Sequence, residues 1–188
     1  MKHEPIAAGY YYHIFNQGNN RENIFIEDRN YTYFMMLTYK HILPIGEIHC
    51  YCLLKNHFHF IVKTKEGLES KKISQAFSNL FNAYAKAINK SYKRTGSLFR
   101  RKYARIKIES ETYFKNLVLY IHTNPKHHGF CNDFITYPHS SFQSYVENKD
   151  SNLTKTYTLN IFDSLQNFIV AHKVKYDFLE SNKKYFLE

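Results

Sequence analysis

The chain has no tryptophan, three cysteines, and 16 acidic residues to set against 26 lysines and arginines. Each shortage excludes something. Three cysteines, an odd number, do not make a disulfide framework, and a reducing cytosol is the simplest compartment. No uncharged apolar run approaches the roughly 18 residues a membrane span needs, so a transmembrane protein is not expected. The first fifteen residues hold one lysine and no long apolar stretch, so no signal peptide is expected either. There is no internal repeat and no low-complexity segment. What is left is a chain of 188 residues, 44% apolar and 18% aromatic, long enough to bury a core. That composition excludes disorder as the main state.

The deficit of acids leaves a net charge of +10. Such a balance suits a polyanionic partner: nucleic acid, or less often an anionic membrane surface. The 17 tyrosines and 16 phenylalanines add faces that can stack on unpaired bases, although most rings are expected in the core.

Tyr10 to Phe15 reads as a strand, ended by the turn residues Gly18-Asn19-Asn20-Arg21. Asp28 is placed to cap a helix reaching Ile42, with Tyr31, Phe34, Met35 and Thr38 on one face; Pro44 and Gly46 end it. Glu47–Leu54 and His57–Thr64 read as a hairpin turning at Lys55-Asn56. Ser70 to Tyr92 is the longest helical pattern, with Ile73, Phe77, Leu80, Phe81, Tyr84 and Ile88 at spacings of three and four. Tyr103–Ile108 alternates as a strand, and Ser110 caps a helix with Tyr113, Leu117, Tyr120 and Ile121 on one side, which Pro125 cannot extend far. Glu147–Thr156 is polar and reads as a linker, and Leu159–Lys173 as one amphipathic helix, followed by fifteen residues expected to be mobile. The order predicts an α+β, ferredoxin-like or RRM-like sandwich: a central antiparallel sheet with helices on one face, plus a C-terminal helical tail. The domain is placed at 1–146. Residues 147–188 form a linker and an extension packing on it.

Three groups of residues could carry chemistry. In Asn56-His57-Phe58-His59-Phe60, strand alternation sends His57 and His59 to one face and both phenylalanines to the other. Two imidazoles on one face can share a divalent cation, or can be two surface histidines. Cys50 and Cys52 lie close in sequence, but their spacing does not match a zinc pattern, and they read as small core residues. In Tyr120-Ile121-His122-Thr123-Asn124-Pro125, residues four apart share a helix face, so Tyr120 and Asn124 present a phenol and an amide to one space. Lys93, Arg94, Arg100, Arg101, Lys102, Arg105 and Lys107 form an acid-free basic stretch with Phe99 and Tyr103 interleaved. It suits a phosphate backbone with stacking rings, or a solvated strand edge.

Taken in order, these motifs resemble the single-tyrosine HUH transposases of small bacterial insertion sequences, and in particular the REP-associated tyrosine transposases. The resemblance runs over about residues 10 to 145. It rests on Tyr11-Tyr12-His13 with Gly18-Asn19-Asn20-Arg21, on Tyr51 to His59, on Thr95 to Tyr103, on Tyr120 to Pro125 and on Tyr137 to Phe142. Lys55 departs from the pattern, standing where a proline is usual.

The resemblance implies a DNA-transposition and recombination enzyme of the bacterial cytoplasm, at the nucleoid when bound to DNA. By it, His57, His59 and Asn124 hold Mg²⁺ or Mn²⁺. Tyr120 attacks a phosphodiester of single-stranded DNA beside a hairpin-forming palindrome, giving a 5′-phosphotyrosine and a free 3′-hydroxyl. Phenolate leaves more readily than an alkoxide, so an incoming 3′-hydroxyl can reseal the strand without an external energy source. The basic stretch (Lys93, Arg94, Arg100, Arg101, Lys102, Arg105) and the turn Asn19, Asn20 and Arg21 would hold the DNA. Whether Tyr120 serves its own subunit or is exchanged across a homodimer is left open. The competing expectation is a non-catalytic nucleic-acid-binding module or repressor on the same fold.

Overall fold

The computed structural model describes residues 5–147 and 151–181. Its body is β1 (Tyr11–Gln17), α1 (Asp28–Ile42), β2 (Gly46–Leu54), β3 (His57–Thr64), α2 (Ser70–Ser91) and β4 (Ala104–Lys107). The strands form one sheet in the order β2-β3-β1-β4, every neighbouring pair antiparallel. This is the ferredoxin-like arrangement: two split β-α-β units whose hairpin, β2-β3, completes one side of the sheet.

The period-2 pattern of the strands divides the core in two. Tyr12, Ile14, Phe58, Phe60 and Val62 face α1 and α2 and pack with Phe34, Phe77, Leu80 and Tyr84. The spacing of those residues in α2 is what buries one stripe of it along the sheet. Cys50, Cys52, Leu54 and Ile61 face the other way, against Phe114, Leu117, Val118 and Ile121 of α3 (Glu111–His127). Helices therefore cover both faces, not one. The two helices inside the β-α-β-β-α-β body lie on a single face as expected. The second face is apolar too, and α3 shields it from water.

Ser110 caps α3 as its sequence suggests, accepting the Tyr113 backbone N–H at 3.1 Å. Pro125 sits in the last turn of α3. At α1 the cap is Glu27, one residue before the expected Asp28, because Asn30 Oδ1 accepts the Glu27 backbone N–H at 3.1 Å. The chain beyond α3 adds α4 (Phe142–Val146), α5 (Lys155–Ile161) and α6 (Leu165–Ser181). The single helix expected over Leu159–Lys173 is two, because Asp163, with φ of 64°, breaks it after Phe162. The helical pattern continues past Lys173 to Ser181. The expected linker spans 147–156, of which 148–150 lie outside the described residues, as do 182–188 of the tail.

Those later elements fasten α3 to the sheet. Tyr137 donates its hydroxyl to the Leu53 carbonyl at 2.8 Å, and the Leu53 N–H donates to the His139 carbonyl at 2.9 Å, covering the outer edge of β2. His122 of α3, fully buried, lies 2.8 Å from Ser141 Oγ through Nε2 and 2.9 Å from His172 Nε2 of α6 through Nδ1. Phe142, Phe162 and Phe168 close around this buried pair of rings.

One glycine fixes the turn after β1. A Cβ on Gly18 would stand 2.0 Å from the Glu22 carbonyl oxygen, and its N–H donates to the Asn56 carbonyl at 2.8 Å. Gly18→Ala is expected to force this turn open at a cost of about 1–3 kcal/mol. Urea unfolding of the two proteins measures it, and an unchanged midpoint refutes it.

Candidate active site

The sheet register assembles the site. Antiparallel pairing sets Phe15 opposite His59 and Gln17 opposite His57. Directly opposed residues share a face, so His13 and Phe15 of β1 stand with His57 and His59 of β3. The rings of His13, Phe15 and His59 stack, with centroids 4.5 to 5.5 Å apart. The rings of His57 and His59 are perpendicular, 5.2 Å apart.

α3 crosses this face and brings its two polar side chains down on the histidines. The Tyr120 ring stands edge-on to His59, centroids 5.6 Å apart. Asn124, one turn later, puts Oδ1 3.3 Å from His57 Nε2. Thus the expected spacing is realised: His57, His59, Tyr120 and Asn124 converge. Tyr120 is 37% exposed, whereas Asn124 is fully buried. A cleft of 320 Å³ over the ends of β1, β3 and β4 is lined by His57, His59, Tyr120, His128, Arg100 and Lys102, among others.

The donor set suits a hard-to-borderline divalent cation. His59 Nε2 and Asn124 Nδ2 are buried without a hydrogen-bond partner, and His57 Nε2 faces an amide oxygen. Burial pushes the His57 imidazole down to about 4, with His128 adding to the effect, and burial takes His59 well below the ordinary range. Both are therefore neutral at pH 7, the form that ligates a metal. Among the described residues no three His, Cys, Asp or Glu side chains converge as a metal-binding group. The third donor is an amide, and two imidazoles with an amide oxygen accommodate Mn²⁺, or Mg²⁺ with several waters. Cys50 and Cys52 share the face of the histidines, across from Ile61 and His59, because the turn at 55–56 resets the alternation. Both are fully buried core residues, and burial raises their thiols.

A basic groove opens beside the cleft. Arg100, Arg101, Lys102 and Arg105 line 780 Å³ of it, opposite Ser78 and Asn82 of α2. Asn16, Arg100 and Lys102 line both spaces, so the groove leads into the cleft. The other expected DNA contacts stand apart from both. Asn19, Asn20 and Arg21 form a short 3₁₀ turn held to the groove's margin by the Asn19 N–H on the Leu98 carbonyl, 2.9 Å. Arg94 is paired with Glu22 and with Asn89, and Lys93 precedes it with φ of 51°. The expectation that Phe99 offers a stacking face is not met. Phe99 is 7% exposed and packs against Phe58, Phe81 and Tyr84.

His13 and His128 were not assigned roles from sequence. Both are near His57 and His59: His13 through the β1–β3 register, and His128, 5.0 Å from the His57 ring, through the end of α3. Strand parity places His13 with Phe15, but only the register, fixed in three dimensions, joins it to His59.

Comparison with solved structures finds a likeness to a REP-associated tyrosine transposase bound to a REP hairpin. The TM-score is 0.65 at 20% sequence identity, over 78% of this chain and 84% of that one. The likeness is one of fold, and it extends over most of both chains. No protein-family model and no curated protein matches the sequence.

Proposed function

We infer that this chain cuts and rejoins single-stranded DNA, with Tyr120 as the attacking group and a divalent cation, Mg²⁺ or Mn²⁺, at His57, His59 and Asn124. The observation that carries this is the convergence of a partly exposed tyrosine and two imidazoles in a cleft fed by a basic groove, with the buried Asn124 amide against His57. The fold likeness to a transposase solved with a DNA hairpin supports the same reading.

The cation, when bound, supplies Lewis-acid polarisation of the scissile phosphate. The chain's own residues do the rest. Arg100 and Lys102, at the junction of groove and cleft, hold the phosphates on either side of the break. Tyr120 Oη bonds to phosphorus as the bond to the 3′-oxygen breaks. The phenol proton is released, and the 3′-oxygen leaves as a hydroxyl. The 5′ end stays on the enzyme as a phosphotyrosine, and reversal by another 3′-hydroxyl rejoins the strand. In this reading Tyr120 acts with the histidines of its own chain, its ring standing edge-on to His59 with centroids 5.6 Å apart. The outer turn, Asn19 to Arg21, with Lys93 and Arg94, contacts the paired stem of a hairpin. In this reading residues 1–146 are the DNA-processing domain, and the extension from 147 braces its tyrosine helix.

No helix among the described residues is long and apolar enough to cross a membrane. The deciding experiment uses end-labelled hairpins with single-stranded flanks, taken from the gene's own surroundings, incubated with Mn²⁺. A covalent protein–DNA band on a denaturing gel, lost in chelator, is expected. Salt-sensitive binding with no cleaved or covalent species in any divalent metal would make this a binding module instead.

A further inference from the structure

Both ligand imidazoles have their far nitrogens occupied by other side chains. His59 Nδ1 lies 2.9 Å from His13 Nε2, in a buried contact between neighbouring strands. His57 Nδ1 lies 2.7 Å from Asn56 Oδ1. A neutral imidazole has one N–H and one lone pair, so what each Nδ1 does decides what each Nε2 offers.

At His57 the assignment follows from the partner. An amide oxygen only accepts, so Nδ1 must carry the proton, and Nε2 is left with a lone pair. That lone pair faces Asn124 Oδ1 at 3.3 Å, so two lone pairs converge on one point where a bound cation would meet both; without one, a turn of the amide lets Nδ2 donate instead. At His59 two arrangements are possible. Were His13 to donate, His59 would carry its proton on Nε2, a buried N–H with no acceptor. With His59 donating from Nδ1 to His13, Nε2 becomes a free lone pair on the same side as the other two donors.

We propose that His13 and Asn56 are positioning residues that hold His59 and His57 in the Nδ1–H form, so that both Nε2 lone pairs point at one cation. Neither touches substrate. His13 acts through His59, which it also keeps in plane by stacking together with Phe15. Asn56 acts through His57 and stands in the hairpin turn, where its carbonyl also accepts the Gly18 N–H. Such outer partners fix ring orientation and raise ligand basicity, and their loss costs about 10- to 100-fold in metal affinity.

This rests on the metal reading above, and the test separates the two. Long-range ¹⁵N–¹H NMR on the full-length, metal-free protein reads the protonated nitrogen of each ring directly. Both His57 and His59 are expected to be protonated on Nδ1 alone. Calorimetry with Mn²⁺ then compares wild type with His13→Phe and Asn56→Leu, each expected to bind on the order of 10- to 100-fold more weakly. His13→Gln and Asn56→Asp, which keep an acceptor, should recover most of the affinity, which a merely structural role would not predict. Nε2–H on either ring in the metal-free wild type overturns the assignment. So does unchanged Mn²⁺ affinity in both His13→Phe and Asn56→Leu. Wild type that fails to bind Mn²⁺ removes the metal reading, while the NMR still judges the tautomers by themselves.

Discussion

Tyr120→Phe is expected to abolish the covalent protein–DNA species while leaving hairpin binding nearly intact. The substitution removes one oxygen and keeps the ring that stands edge-on to His59. At most one exposed hydrogen bond to DNA is lost, about 1 kcal/mol or roughly fivefold in affinity. Among the described residues no other hydroxyl side chain lines the cleft, and Thr123 turns its hydroxyl back to the Leu119 carbonyl at 2.8 Å. Cleavage should therefore fall to background, not to a reduced rate. Paired denaturing and native gels on one labelled hairpin read both quantities. A covalent band that survives in the variant places the nucleophile elsewhere, and a large loss of binding would make the ring itself part of the DNA surface.

The second large effect is loss of stability in mild acid. Burial pushes the imidazoles of His13, His49 and His172 down to about 4. In the unfolded chain they titrate near 6.5. Above that pH both states are neutral and these groups contribute no difference. Between about pH 6.5 and pH 4 the unfolded chain takes up protons that the folded one refuses, so stability falls as pH falls. Each ring costs about 1–2 kcal/mol by pH 5, and three together are a large part of the 5–15 kcal/mol typical of a domain. A marked drop in urea midpoint between pH 7 and pH 5, followed by circular dichroism, is expected.

His49 offers the cleanest check on the cause. Its ring is fully buried among Tyr11, Phe114 and Tyr157; its polar neighbours are the Thr154 backbone and the Glu47 carboxylate, 3.7 Å away. His49→Phe removes a titrating group and gives up no hydrogen bond to another side chain. It should leave pH 7 stability equal or higher and flatten the acid slope. An unaltered slope would assign the acid loss to other groups.

Local features were legible in the sequence wherever one element carried the signal. Alternation alone places β3 at His57–Thr64, and the three-four spacing places α2 within a residue of its end. The pairing of Tyr120 with Asn124 is likewise a property of one helix. The contacts that join distant segments were not legible. The hydrogen bond of His13 to His59 spans 46 residues and depends on strand register. The second helical face was missed because the side read from Tyr113, Leu117, Tyr120 and Ile121 does not say which side of the sheet α3 covers; Leu117 and Ile121 are buried with Val118, while Tyr113 and Tyr120 are exposed. The break at Asp163 was missed because a positive φ at a single residue interrupts a pattern that is apolar on both sides of it.

The buried pair His122 and His172 has a further consequence. It joins the helix that carries Tyr120 to the last described helix of the same polypeptide, with Phe142 and Phe168 packed around it. Lending that helix to a neighbouring molecule would expose two imidazoles and several aromatic rings to water at once. On the proposed function, cleavage is therefore expected to be the act of one molecule, with a rate first order in enzyme that survives dilution, and joining two cut ends would take a meeting of two such molecules.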